Sequence, residues 1–77
     1  MTFNGWSNYQ TWNVALYIQN EYPLYHAALR YATYEPFIDM IKEITGSEVT
    51  PDGVSWTDPT LDHVELDEMM YEICTGG

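Results

Sequence analysis

The sequence predicts a mainly α fold, a compact bundle of three to four short helices with room for a small β-hairpin around residues 49–56. Two observations carry this prediction. Apolar residues recur at spacings of three and four along most of the chain, the period of a helix with one buried face. Residues that start and stop helices bracket those stretches.

The first helix is expected from Asn8 to about Asn20. Ser7 reads as its N-cap, with Gln10 three residues on completing a capping box. Trp12, Val14, Ala15, Leu16, Tyr17 and Ile18 put apolar side chains on more than one face, so this should be the central, most buried helix. Asn20 and Pro23 end it. Pro23 then suits the first turn of a second helix, where a missing N–H costs nothing. Leu24, Ala27, Ala28 and Tyr31 supply its stripe.

Pro36 interrupts or restarts the helix, because proline removes a donor and disfavours helix at the residue before it. Phe37, Ile38, Ile41 and Ile44 form the next stripe, and Gly46 sits where a left-handed cap glycine belongs. Thr50-Pro51-Asp52-Gly53-Val54 is a turn: proline presets one dihedral and glycine accepts a positive one. Val49, Val54 and Trp56 flank it, which gives the hairpin. Asp58-Pro59 marks a second turn. In the last helix Asp62 is the N-cap, Glu65 follows three residues later, and Leu61 with Leu66 makes a hydrophobic staple. Leu66, Met69, Met70 and Ile73 are its stripe, and Thr75-Gly76-Gly77 reads as a frayed end. No repeat, low-complexity tract or linker divides the chain, so residues 1–77 read as one acidic helical domain.

A chain of 77 residues buries only a little over ~60% of its unfolded surface, so its core needs reinforcement. Disulfides cannot supply it, because Cys74 is the only cysteine. A lone cysteine suits a reducing cytoplasm. Three tryptophans and seven tyrosines can supply it, since each large ring buries much apolar area. The same residues are enriched at interfaces. No run approaches the ~20 apolar residues of a membrane span, and the opening residues carry no basic region of a secretory signal. The expected location is cytoplasmic, with no membrane partner.

Charge is the outstanding feature of the composition. Twelve acids stand against two bases, Arg30 and Lys42, for a net charge of −10. Ten of the acids fall in residues 39–77. Such a balance argues against direct binding of nucleic acid, which needs basic residues to replace phosphate counterions.

No arrangement for catalysis is evident. Nothing combines a nucleophile, a base and an oriented donor. His26, His63 and Cys74 form no spaced pair, and the loop from Asp52 to Asp62 lacks the pattern of a calcium-binding loop. The glycines are isolated or terminal, which leaves no phosphate-binding loop. The expectation is therefore a non-enzymatic protein without metal or cofactor.

The acidic stripe remains. Glu65, Glu68 and Glu72 follow one another at three and four residues on a helix that has no lysine or arginine. A run of charge is ordinarily a solvated face, yet like charges at this spacing cost a few tenths of a kcal/mol each. A basic partner would offset that cost. Asp58, Asp62, Glu65, Asp67, Glu68 and Glu72 are thus the candidate surface for a protein partner with a basic face, such as a nucleic-acid-binding complex. Rows of carboxylates would occupy places that phosphates take on a nucleic acid, with electrostatic steering of the encounter. The alternative is a small assembly or adaptor protein whose exposed Trp6, Trp56 and Tyr71 are the hot spots. Self-association is compatible with either reading. Asn13 is a poor helix-interior residue and should hydrogen-bond the N-terminal turn or a partner, with internal satisfaction the simpler case.

The run Asn4-Gly5-Trp6-Ser7-Asn8-Tyr9-Gln10-Thr11-Trp12-Asn13-Val14-Ala15-Leu16 resembles an N-terminal signature of small uncharacterised proteins carried by phages, plasmids and bacterial genomes. That signature reads Gly-Trp, then Asn-Tyr-x-Thr-Trp-Asn-Val-Ala-Leu. Thr50-Pro51-Asp52-Gly53-Val54 and the acidic last helix are similar to the same group. The resemblance implies a mobile-element context, in which short acidic proteins block host defences. Taken with the acidic second half and the acidic last helix that no base relieves, that context leads to the expectation of a phage-type inhibitor of a host defence complex, anti-CRISPR-like in its action. The group itself brings no established function and no catalytic residues.

Overall fold

A computed structural model describes residues 3–76. Its helices are α1 (Tyr9–Asn20), α2 (Tyr22–Ala28), α3 (Ile38–Thr45) and α4 (His63–Cys74), and a 3₁₀ turn at Glu35–Phe37 leads into α3. The fold is mainly α, as the periodicity predicts. The radius of gyration is 11.2 Å, close to the ~11.5 Å expected for a compact chain of this length.

The cap of α1 is Asn8 and not Ser7. Asn8 is extended, and its Oδ1 accepts from the Thr11 N–H at 2.8 Å. Asparagine caps as well as serine does, and Ser7 makes a stronger bond elsewhere, donating its hydroxyl to the Asp62 carboxylate at 2.7 Å. Thr11, Asn13, Val14, Ala15 and Ile18 of α1 are buried, more than any other helix contributes. The short α2, however, is the helix that packs against α1, α3 and α4 alike. Before α1, Asn4 (φ 49°) and Gly5 (φ 89°) form a two-residue turn that closes Phe3 onto Trp6, the asparagine–glycine pairing that such tight turns demand. Phe3 and Tyr9 then stack around Trp12, with ring centroids at 4.9 and 5.7 Å from it.

Pro36 restarts the chain as expected, through the 3₁₀ turn. Ile38 and Ile41 bury themselves, whereas Ile44 at the end of the stripe stays exposed. Gly46 caps α3 at φ 66° with its N–H on the Lys42 carbonyl. The expected hairpin contracts to one turn and one bridge. Gly53 donates to the Thr50 carbonyl at 2.8 Å, Thr50 to the Val54 carbonyl at 2.7 Å, and Val49 bridges Ser55. The Trp56 N–H completes the bridge by donating to the Glu48 carbonyl at 3.2 Å, while its ring lies in the core, and a two-stranded ribbon this short is marginal alone.

Trp56 is the largest fully buried side chain, followed by Tyr34 and Phe37. This overturns its assignment as an exposed contact residue. The Trp56 Nε1–H donates to the Ser47 carbonyl at 3.1 Å, and the Trp56 carbonyl accepts from the buried Tyr34 hydroxyl at 2.6 Å. The sequence around Trp56 looks like loop, but a ring that reaches the core from a loop adds as much burial as one on a helix. In α4 the staple residues Leu61 and Leu66 are both buried. Asp62 caps the helix by accepting from the Glu65 N–H at 3.1 Å.

Two outcomes follow. Tyr34→Phe strands the Trp56 carbonyl in the core, which should cost about 1–3 kcal/mol in urea denaturation. Burial also pushes the Tyr34 phenol well above its ordinary value of 10.0. A raised value means that the stabilisation is fully present below pH 10.0 and is lost as pH rises through the shifted value. The Tyr34→Phe protein should therefore lose less of its own stability than the parent between neutral and strongly alkaline pH, as read by circular dichroism.

Candidate interaction surface

The six acids singled out in the sequence fall into two groups. Four are spent on the fold. Asp58 accepts from the backbone N–H of Thr60 at 2.8 Å and from its hydroxyl. Asp62 accepts from the Ser7 hydroxyl and the Glu65 N–H. Glu65 Oε1 accepts from the Ser7 N–H at 2.8 Å, and Asp67 Oδ1 from the Tyr34 N–H at 2.8 Å. Bonding to the charged form favours it. Thus the Thr60 hydroxyl holds Asp58 below the usual carboxylate range, and the Ser7 hydroxyl, helped by the Glu65 N–H, does the same for Asp62.

Glu68 and Glu72 are the other group. Both are exposed, and neither makes a side-chain hydrogen bond or ion pair among the described residues. The expected row Glu65–Glu68–Glu72 is therefore broken at its first member. Helical spacing put all three on one face, but it could not show that a loop N–H lies against Glu65, because Ser7 is 58 residues away in sequence.

Two depressions flank Glu68 and Glu72. One, of about 650 Å³, is lined by Ala32, Thr33, Asp67, Glu68, Tyr71 and Glu72. The other, of about 240 Å³, brings Gly5, Trp6 and Gln19 against Glu65, Glu68 and Glu72. The two glutamates thus form a ridge, with Tyr71 on one side and Trp6 on the other. Tyr71 is 61% exposed and Trp6 is half-buried against the core. The acidic and aromatic surfaces, read as alternatives in the sequence, become one surface once Trp56 is removed from the second.

A cleft elsewhere had no clear sequence signal. It has a volume of about 360 Å³ and lies between the end of α1, the start of α2, the end of α3 and the 47–56 segment, with Leu24, Ile44, Val49 and Trp56 among its walls. Behind it, Asn13 is fully buried. Its Nδ2 donates to Asp52 at 2.7 Å and its Oδ1 accepts from the Thr50 hydroxyl at 2.6 Å. Tyr17 also donates to Asp52, at 3.1 Å. Desolvation, then the bond to Asp52, raises the Tyr17 phenol. Asn13 is satisfied internally, yet it holds the 50–54 turn and not the N-terminal one. His26 lies against Tyr22, His63 approaches Glu35 at 3.8 Å, and Cys74 is exposed. Among the described residues no three potential metal ligands converge.

The lowered values set an acid limit. A depressed aspartate adds stability that is present above its ordinary value of 3.8 and lost as pH falls through the lowered one. Ser7→Ala removes the largest cause of the shift at Asp62. The acid unfolding midpoint of Ser7→Ala, followed by helical circular dichroism, should lie at higher pH than that of the parent. Coincident curves would show that the Ser7–Asp62 bond adds nothing.

No described helix is long and apolar enough to cross a membrane. No curated protein and no solved structure matches the chain. A family model does match, over residues 1–75, and the chain belongs to that family, DUF7249, a family of unknown function.

Proposed function

We propose that this chain is a non-enzymatic binding protein that docks a partner with a basic surface against the outer face of α4. One observation carries the reading. Glu68 and Glu72, the acids of α4 that the fold does not use, border the most exposed aromatic residue of the same helix, Tyr71. Each part suits a different aspect of association. Unpaired carboxylates at a rim steer a basic partner and speed its encounter. A tyrosine beside them offers a large contact area with little entropy to lose, the character of a hot spot. Trp6, across the ridge, extends the contact.

The more specific form of the proposal is an inhibitor that acts in the cytoplasm of a host bacterial cell on a defence complex that handles nucleic acid, in the manner of an anti-CRISPR protein. The net charge of −10 and the likeness to mobile-element proteins support it. Mimicry of a phosphate row, in this form of the proposal, rests on Glu68 and Glu72 and not on the six acids together. Tyr71 favours the second reading, an adaptor held by aromatic contacts, and the two differ in how salt affects them.

The test starts with capture of partners from bacterial lysate at low salt and at high salt. A nucleic-acid-handling complex that is released by salt supports the inhibitor, and the absence of any such salt-sensitive partner sinks it. With the partner in hand, Glu68→Gln/Glu72→Gln should slow association and flatten its salt dependence without loss of fold. Tyr71→Ala should weaken binding by at least ~2 kcal/mol through faster dissociation, if it is a hot spot. Unchanged binding in both variants would rule out this face of α4.

A further inference from the structure

The cleft between α1, α2, α3 and the 47–56 segment has a chemical bias that is independent of the α4 surface. Its walls are largely apolar, with Ile44 and Val49 partly exposed at 38% and 39%. Five of its side chains carry a hydrogen-bond donor, and each is already used. Tyr17 donates to Asp52, and Thr50 to Asn13. Thr45 donates to the Ile41 carbonyl, Ser47 to the Val49 carbonyl and Trp56 Nε1 to the Ser47 carbonyl. Neither Arg30 nor Lys42 lines the cleft, and Lys42 is paired with Glu48 at 3.0 Å.

Glu21 is different. It lines the cleft, it is exposed, and its carboxylate has no partner among the described residues. Its backbone N–H serves as the cap of α1, on the Tyr17 carbonyl, so the backbone is fixed while the carboxylate is free. The side chains thus offer a ligand apolar walls and a negative acceptor, and neither a cation nor an unspent donor. An anionic ligand would lose hydration there with no side-chain donor or cation to compensate. A protonated amine on an apolar body satisfies both features. The volume, about 360 Å³, falls at the small end of the ~300–1,000 Å³ range of small-molecule sites.

We infer that this cleft binds a small organic amine, its apolar body against Leu24, Ile44 and Val49 and its ammonium group at the Glu21 carboxylate. The same chemistry exists on a lysine of a partner protein, and the experiment separates the two sources.

The experiment is a titration of the full chain followed by amide and indole NMR shifts. The probe is phenethylammonium chloride at neutral pH. The controls are 3-phenylpropionate, similar in size and opposite in charge, methylammonium, which has no apolar body, and neutral 2-phenylethanol. Phenethylammonium should give saturable shifts at Ile44, Val49 and the Trp56 indole N–H, with a dissociation constant on the order of 1 mM for so small a ligand. Phenylpropionate should bind at least about tenfold more weakly, since it leaves a charge unpaired in the cleft. Glu21→Gln should weaken phenethylammonium about two- to fivefold, the range for an exposed ion pair, and leave 2-phenylethanol unchanged. Equal shifts from amine and carboxylate, or shifts from methylammonium at the same residues, would overturn the inference. So would saturation by a capped Leu-Lys dipeptide at lower concentration than by the free amine, since the occupant would then belong to a protein.

Discussion

The N-terminal ends of α1 and α4 are fastened to each other, and the packing of the remaining elements depends on that junction. Four bonds span it. The Ser7 hydroxyl and N–H donate to Asp62 and Glu65, the Asp62 N–H donates to the Thr11 hydroxyl, and the Asn8 side-chain amide donates to the Thr60 carbonyl. Two helix N-termini in proximity gather unsatisfied N–H groups and partial positive charge. Carboxylates are the natural acceptors there, and this chain has them in excess. Each helix keeps its cap bond, to Asn8 and to Asp62, but the return bond of a capping box is replaced by an exchange between helices. Glu65 reaches Ser7 instead of returning to Asp62, and Thr11 takes the Asp62 N–H that Glu65 would have taken.

This exchange alters the meaning of the chain's charge. A net charge of −10 on 77 residues repels itself in a compact state, and two bases cannot neutralise it. The fold instead puts acids to work as acceptors for hydroxyl, amide and backbone donors. Asp52 gathers Asn13 and Tyr17, Asp58 orders its own turn, Asp62 and Glu65 join the helices, and Asp67 fixes the backbone at Tyr34. Charge-assisted bonds of this kind are about twice as strong as neutral ones. Acidity here is in good part structural, and Glu68 and Glu72 are the acids of α4 left outside that role.

What could be read in the sequence follows the same division between local and distant interactions. The helices, the Gly46 cap, the Asp62 cap and the Thr50–Gly53 turn are set by residues within one turn of each other, and periodicity with cap chemistry finds them. The inward role of Glu65 depends on Ser7, that of Asp67 on Tyr34, and the burial of Trp56 on the Tyr34 hydroxyl. Those partners lie 58, 33 and 22 residues away, and nothing in the local pattern marks them. Ser7 reads as a cap for the same reason: two adjacent residues can both cap a helix, and the distant carboxylate of Asp62 decides which one does. The cleft is less visible still, since its walls come from four separate segments.

Glu68 and Glu72 end up as the acids of α4 hardest to explain by folding. They sit at i and i+4, where like charges cost a few tenths of a kcal/mol, and no lysine or arginine of α4 relieves them. Glu65 and Asp67, on the same helix, compensate for their charge through buried or half-buried backbone donors, whereas these two accept no bond among the described residues. A chain this small has little stability to spare. Residues that lower the stability of the free protein and return nothing to its core are the expected mark of a surface shaped by use. The same comparison singles out Tyr71, which stands 61% exposed. Three neighbours on one helix, two of them charged and one aromatic, accept no bond or stand largely exposed, and that contrast with Glu65 and Asp67 is what supports the proposal of a partner at the outer face of α4.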